Sequence, residues 1–163
     1  MPTLAVPDTE LLAQVERSIR VLSKVLYRTP VQRGRGEVRI DRSGQSVLGT
    51  LDDLGEVRLS DVAATLQLDV STVSRQVRVL TDHGLLRRRS DPDDGRASLL
   101  ELTAAGRREL NRIRAHRVQV LTSATSAWPE EDRRRLLDLL DDLATQAAAQ
   151  DGPTVSAAGG GPR

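Results

Sequence analysis

The side chains whose types and spacing could do chemistry lie mostly on one helix face. In Asp69-Val-Ser-Thr-Val-Ser-Arg-Gln-Val-Arg-Val-Leu80, the residues Val70, Val73, Val77 and Leu80 recur at intervals of three and four, which predicts one apolar stripe. At about 100° per residue Arg75 points away from that stripe, with Ser71, Thr72 and Arg78 beside it. An arginine there can fork onto guanine, and hydroxyls can bond phosphate or base edges. A solvated surface accounts for the isolated helix equally well. Asp69 is the expected N-cap and Gly84 the stop signal.

A second basic group follows. Arg87, Arg88, Arg89 and Arg96 stand around the turn-forming run Asp91-Pro-Asp-Asp-Gly-Arg96. From Arg75 to Arg89 there are five arginines against the single acid Asp82, although the whole chain carries a net charge of only +1. Such a local cluster can neutralise phosphates or enter a narrow minor groove. Lys24 is the only lysine. A preference for bidentate contacts and genomic base composition both produce such a bias.

Other chemistries lack their residues. The chain has no cysteine, which excludes disulfides and thiolate metal ligation. His83 and His116 are far apart in sequence, and neither sits in the spacing of a zinc site. Asp91, Asp93 and Asp94 lack calcium-loop spacing and its terminal Glu, and Arg96 would repel a cation. No Gly-rich phosphate loop follows a strand. The expectation is therefore no enzyme, no metal and no cofactor.

The surrounding elements must place these groups. Leu59-Ser-Asp-Val-Ala-Ala-Thr-Leu-Gln-Leu68 predicts a shorter helix capped by Ser60 or Asp61, with Val62, Ala63 and Leu66 inward. Two short helices joined around Gln67–Asp69 make a helix-turn-helix, whose second member enters a major groove. Leu85–Ser90 and Ala97–Leu102 predict two strands of a hairpin, the wing of a winged helix-turn-helix.

The pattern resembles the MarR family of bacterial transcriptional regulators. The resemblance is carried by Leu59-Ser-Asp-Val-Ala, Ser71-Thr-Val-Ser-Arg75 and Leu80 through Gly84-Leu85. It continues in Asp91-Pro-Asp-Asp-Gly-Arg-Ala97 and Leu102-Thr-Ala-Ala-Gly106, and with the flanking helices covers roughly residues 8 to 148. It implies a homodimer that binds double-stranded DNA at a palindromic operator, usually as a repressor. Many members release DNA when a small phenolic or carboxylate ligand binds, so an effector whose identity the sequence does not specify joins the expected partners. With only Tyr27 and Trp128 and no Phe, this chain has little aromatic surface to stack on one. Lacking cysteine, it also lacks the thiol peroxide sensing of some members. On this reading Arg75 reads a base, assisted by Ser71, Thr72, Ser74 and Gln76, with Arg78 on phosphate. Arg88 and Arg89 neutralise phosphates, and Arg96 enters the minor groove, oriented by Asp94 through the family's Asp-x-Arg. The alternative from another class is a winged-helix module that binds protein without specific DNA binding.

The expected fold is mostly α with a small β-hairpin wing, a winged helix-turn-helix (40–102) flanked by dimerisation helices (8–29 and 103–148). Residues 1–7 are an expected flexible arm and 149–163 an expected disordered tail. In the first helix Leu12, Val15, Ile19, Leu22 and Leu26 form a narrow seam, with Leu11, Val21 and Val25 on a second flank. Arg33-Gly-Arg-Gly36 reads as a solvated connector or as a loop touching DNA backbone. Ile40–Leu54 predicts a helix capped by Asp41, with Val47, Leu48, Leu51 and Leu54 inward. Gly44 and Gly49 are departures there, either packing-related or simply poor helix. Gly55-Glu-Val-Arg58 predicts a turn and a short strand against the wing. Thr103 caps a long helix to about Thr122, marked by Leu110, Ile113, Val120 and Leu121, with Gly106 permitting close packing. Pro129 and the acids after it start the last helix, whose Leu136, Leu137, Leu139, Leu140 and Leu143 overload a monomer surface. No run approaches the roughly 18 apolar residues of a membrane span, and no signal peptide is legible, so a cytoplasmic protein is expected.

Overall fold

The computed structural model of the chain describes residues 9–28, 40–92 and 98–150. The expected arm at 1–7, the Arg33–Arg35 loop, the wing-tip residues Asp94 and Arg96, and the tail from 151 lie outside the described residues. In chain order the elements are α1 (Thr9–Leu26), α2 (Arg42–Leu54), β1 (Val57–Arg58), α3 (Leu59–Thr65), α4 (Val70–Asp82), β2 (Leu86–Ser90), β3 (Ser98–Leu102), α5 (Ala104–Ala124) and α6 (Glu130–Gln150). The last helix continues through Ala149 and Gln150, which the sequence places in the tail. It begins at Glu130, so Pro129 precedes the first helical residue rather than occupying it, and its carbonyl accepts from the Arg133 amide at 3.3 Å.

Two compact units divide after Val120. In the first, helices α2, α3 and α4 and a three-stranded antiparallel sheet enclose the core. The sheet order is β1-β3-β2, with Val57 opposite Leu100 and Arg88 opposite Leu100 on the other side. Val47, Leu48 and Leu51 of α2 meet Val62 and Ala63 of α3 and Val73, Val77 and Leu80 of α4. Leu86, Leu100, Leu102, Leu110 and Ile113 close the same core. Each of the Val, Leu and Ile side chains contributes about 1.5–3 kcal/mol by leaving water. Leu54, expected inward, is exposed at the end of α2.

The two glycines of α2 have different reasons. A Cβ on Gly44 would come within 2.7 Å of Ile40 Cγ2, so the side chain is excluded by packing; Gly49 has nothing within 4 Å. Asp41 caps α2 as expected, accepting from the Gly44 amide at 2.8 Å. The α3 cap differs from expectation. The N-cap position is Arg58, and Asp61 reaches back from the first turn to accept the Arg58 amide at 3.2 Å.

Helix α4 ends in a Schellman motif. Gly84, at φ +68°, donates to Thr81 O at 2.8 Å, and Leu85 donates to Leu80 O at 2.9 Å. The positive φ is what glycine tolerates without strain. The turn then meets the start of α5. Thr103 caps that helix, accepting the Gly106 amide at 3.0 Å while its hydroxyl donates to Gly84 O at 2.7 Å. An added Cβ on Gly106 would fall 2.1 Å from the Leu85 carbonyl oxygen, so only glycine permits this approach.

Further along α5, Arg117 donates to Oε1 of buried Gln45 at 2.6 Å, and Gln45 donates to Ile40 O at 3.2 Å. This satisfies a buried amide that would otherwise be costly. Tyr27 lies between two guanidinium groups, Arg117 at 4.3 Å and Arg42 at 4.7 Å from its ring centre. The apolar seam of α1 is exposed: Leu12, Val15, Ile19 and Leu22 all stand in solvent. In the second unit, α6 buries no residue, and all five of its singled-out leucines are exposed.

Candidate nucleic-acid interface

Helix α4 presents two opposed faces. Val73 and Val77 are fully buried and Leu80 nearly so, which anchors the helix along its length. Ser71, Thr72, Arg75 and Arg78 are exposed, and Ser74 and Gln76 are half-buried. The Arg75 side chain makes no hydrogen bond or ion pair with a described residue, and the Arg78 guanidinium has Asp82 at 4.0 Å. The guanidinium of Arg75 is therefore available to an external acceptor. Gln76 is not equally available: its amide donates to Asp41 Oδ2 at 3.2 Å, tying α4 to the N-terminus of α2.

Two features of α4 depart from the sequence reading. Val70 falls on the apolar stripe by spacing but is 51% exposed, because the core stops one turn later at Val73. Asp69 occupies the N-cap, yet its carboxylate makes no capping bond; its backbone carbonyl accepts from Thr72 and Val73 at 3.0 and 3.1 Å. Val79, unremarked in the sequence, is an exposed apolar residue one turn after Arg75.

The wing arginines are sorted by the sheet. Strand residues alternate in direction, so Arg87 and Arg89 share one face and Arg88 takes the other. Arg87 sits opposite Glu101 and donates to both its oxygens, at 2.6 and 2.9 Å. These hydrogen bonds, with the attraction of the two charges, hold the Glu101 carboxyl below its usual range and the Arg87 guanidinium above its own. Arg89 donates to Glu56 at 2.8 Å. Arg88 is exposed and makes no bond to a described residue. Arg58 reaches across β3 to Asp91, with Nε and Nη2 at 2.9 and 2.6 Å from one carboxylate oxygen; Asp91 is buried. The sequence did not mark these pairs, because each joins residues far apart in the chain.

Among the described residues no group of three His, Asp or Glu side chains is placed to hold a metal ion. His83 is the exposed C-cap of α4. His116, expected on the surface of α5, is partly buried. No helix among the described residues is long and apolar enough to cross a membrane.

The winged module matches the family model described as MarR family over residues 43–98. An uncharacterized HTH-type transcriptional regulator of Bacillus subtilis, YxaD, is 33% identical over 104 residues, covering 64% of this chain and 73% of the relative. The chain belongs to the MarR family. A putative transcriptional regulator of Pseudomonas aeruginosa, known as a crystal structure, is 31% identical, with a TM-score of 0.68 over 88% of this chain and 97% of that one. A MarR family protein from Bacillus stearothermophilus shares the fold at a TM-score of 0.71 and 19% identity, over 88% of this chain and 99% of that one. This MarR-family protein is thus a helix-turn-helix DNA-binding transcriptional regulator, built as a mostly helical winged-helix fold. The family is in general non-enzymatic.

Proposed function

We propose that the protein represses transcription by binding a palindromic operator as a homodimer, with one α4 helix in each of two successive major grooves. The observation that carries this reading is Arg75: exposed, unpaired with described residues, and mounted on a helix whose opposite face is buried in the core. A rigid mount matters because a bidentate guanine contact tolerates little angular error. Ser71 and Thr72 flank Arg75, while Arg78 and Arg88 supply phosphate contacts. Arg89 keeps its bond to Glu56 on this reading, and Gln76 reaches the DNA by releasing Asp41. Arg96, oriented by Asp94, belongs to the minor groove on this reading.

The exposed leucines and valines of α1 and the exposed leucines of α6 support a second copy as partner, since that much apolar surface is costly in water. A two-fold dimer sets the recognition helices about 34–36 Å apart, one turn of DNA. A small-molecule ligand that prefers a dimer of different helix spacing would release the operator through that differential affinity alone.

Selection of bound sequences from a random duplex library, at fixed near-physiological salt, tests the reading. The expected product is a palindrome with half-sites one turn apart, bound by a species that sediments as a dimer at micromolar concentration. Recovery of no sequence above random DNA, or a monomer in the sedimentation run, would overturn it.

A further inference from the structure

The leading end of α4 carries an apolar side chain that the core does not use. Val70 is the first residue of the helix and is 51% exposed, between the exposed Asp69 and Ser71. It takes no part in capping, since the helix entry is held by the Asp69 backbone carbonyl. A β-branched residue in that position gives the fold only partial burial and a lower helix propensity than alanine. Its immediate neighbours Ser71 and Thr72 are polar and exposed. The result is an exposed apolar side chain in the first turn of α4, at the leading end of the apolar stripe and close in sequence to the exposed Leu68.

In a helix-turn-helix, the N-terminal residues of the second helix reach the base edges of the major groove. The apolar feature displayed on those edges is the C5 methyl group of thymine. We infer that Val70 reads a thymine, its methyl groups packing on the C5 methyl of one thymine in each half-site. The inference rests on the reading of α4 as the DNA-contacting helix. Val70 and Arg75 are five residues apart, about 7.5 Å along the axis and about 140° around it, so they meet different base pairs. Arg75 recognises by hydrogen bonds and Val70 by apolar contact, and the two sources of specificity are separable.

The test uses the full chain and a duplex recovered by selection. Each thymine is replaced in turn by deoxyuridine, which removes only the C5 methyl, and binding is titrated at constant salt. One thymine per half-site should respond, with a loss of about fourfold, the affinity equivalent of burying one methyl group. Val70→Ala should bind the thymine and uracil duplexes alike at that position, while Arg75→Ala keeps the preference for thymine. Thermal unfolding of Val70→Ala should match the parent or rise, since alanine is the better helix former. Indifference of the parent protein to every replacement would overturn the inference, as would a full thymine preference retained by Val70→Ala. Either result leaves the selected duplex, and so the DNA-binding reading, intact. Failure to select any duplex would instead overturn the reading of α4 and this inference together.

Discussion

Helix α4 and strand β2 both display arginine to solvent, and they handle its charge in opposite ways. On α4, Arg75 faces outward with no described partner, and Arg78 has only Asp82 at the limit of ion-pair distance. On β2, Arg87 is forked onto Glu101 and Arg89 is bonded to Glu56, leaving Arg88 as the strand's unpaired arginine among the described residues. The helix therefore keeps its cation ready for a directional contact. The strand spends two of its three arginines on holding the sheet's outer face together. A basic run counted along the chain overstates the charge that DNA would meet.

The largest effect expected from this contrast is at Arg75. Arg75→Ala should cost roughly 1–3 kcal/mol on the selected duplex and relax base choice at one position. An equal loss on random and selected DNA would assign Arg75 to phosphate instead. Next comes Arg88→Ala, which should weaken all sequences alike and, removing two phosphate contacts per dimer, make the slope of log affinity against log salt shallower by about 1.8. Glu56→Gln should act in the other direction, freeing both Arg89 side chains of the dimer and steepening that slope by up to about 1.8. The paired change Glu56→Ala with Arg89→Ala removes equal and opposite charges and should leave the slope unchanged. A loss in the double variant as large as that of Arg88→Ala would show that Arg89 touches phosphate and that the contrast is false.

The smallest effect is in acid. The folded Glu101 carboxyl titrates below its unfolded value because Arg87 bonds its charged form. Its contribution to stability is complete above the ordinary carboxylate range and disappears as pH falls through the folded value. Melting temperatures of the parent and Glu101→Gln should accordingly differ at neutral pH and converge in acid. A difference that persists unchanged at low pH would mean that the ion pair is not its source.

Most of the architecture was legible because periodicity is a local property. The helix-turn-helix, the hairpin, the short strand before it and the Gly84 stop all follow from spacing and turn chemistry in neighbouring residues. Periodicity gives direction around an axis, but not whether a neighbour exists at that height. That is why Val70 and Val73 look alike in sequence, while one is exposed and the other buried. Pairing across strands is likewise invisible to a count along the chain: Glu56 lies 33 residues from Arg89, and Glu101 lies 14 from Arg87. Gly44 and Gly49 show the same limit, since what distinguishes them is the packing of Ile40, Asp41 and Gln76 around the first. Arg75 was legible as an outward residue; its lack of a described partner was not.

The close approach at Gly106 clamps the end of α4 to the beginning of α5. The Leu85 carbonyl sits where a methyl group would be, and the Thr103 hydroxyl bolts the two chain segments together. No slack remains for one to slide over the other. Any residue larger than glycine at 106 would therefore push the turn that ends α4 away from the start of α5. The seating of α4, and with it the direction in which Arg75 points, in this sense depends on a glycine outside that helix.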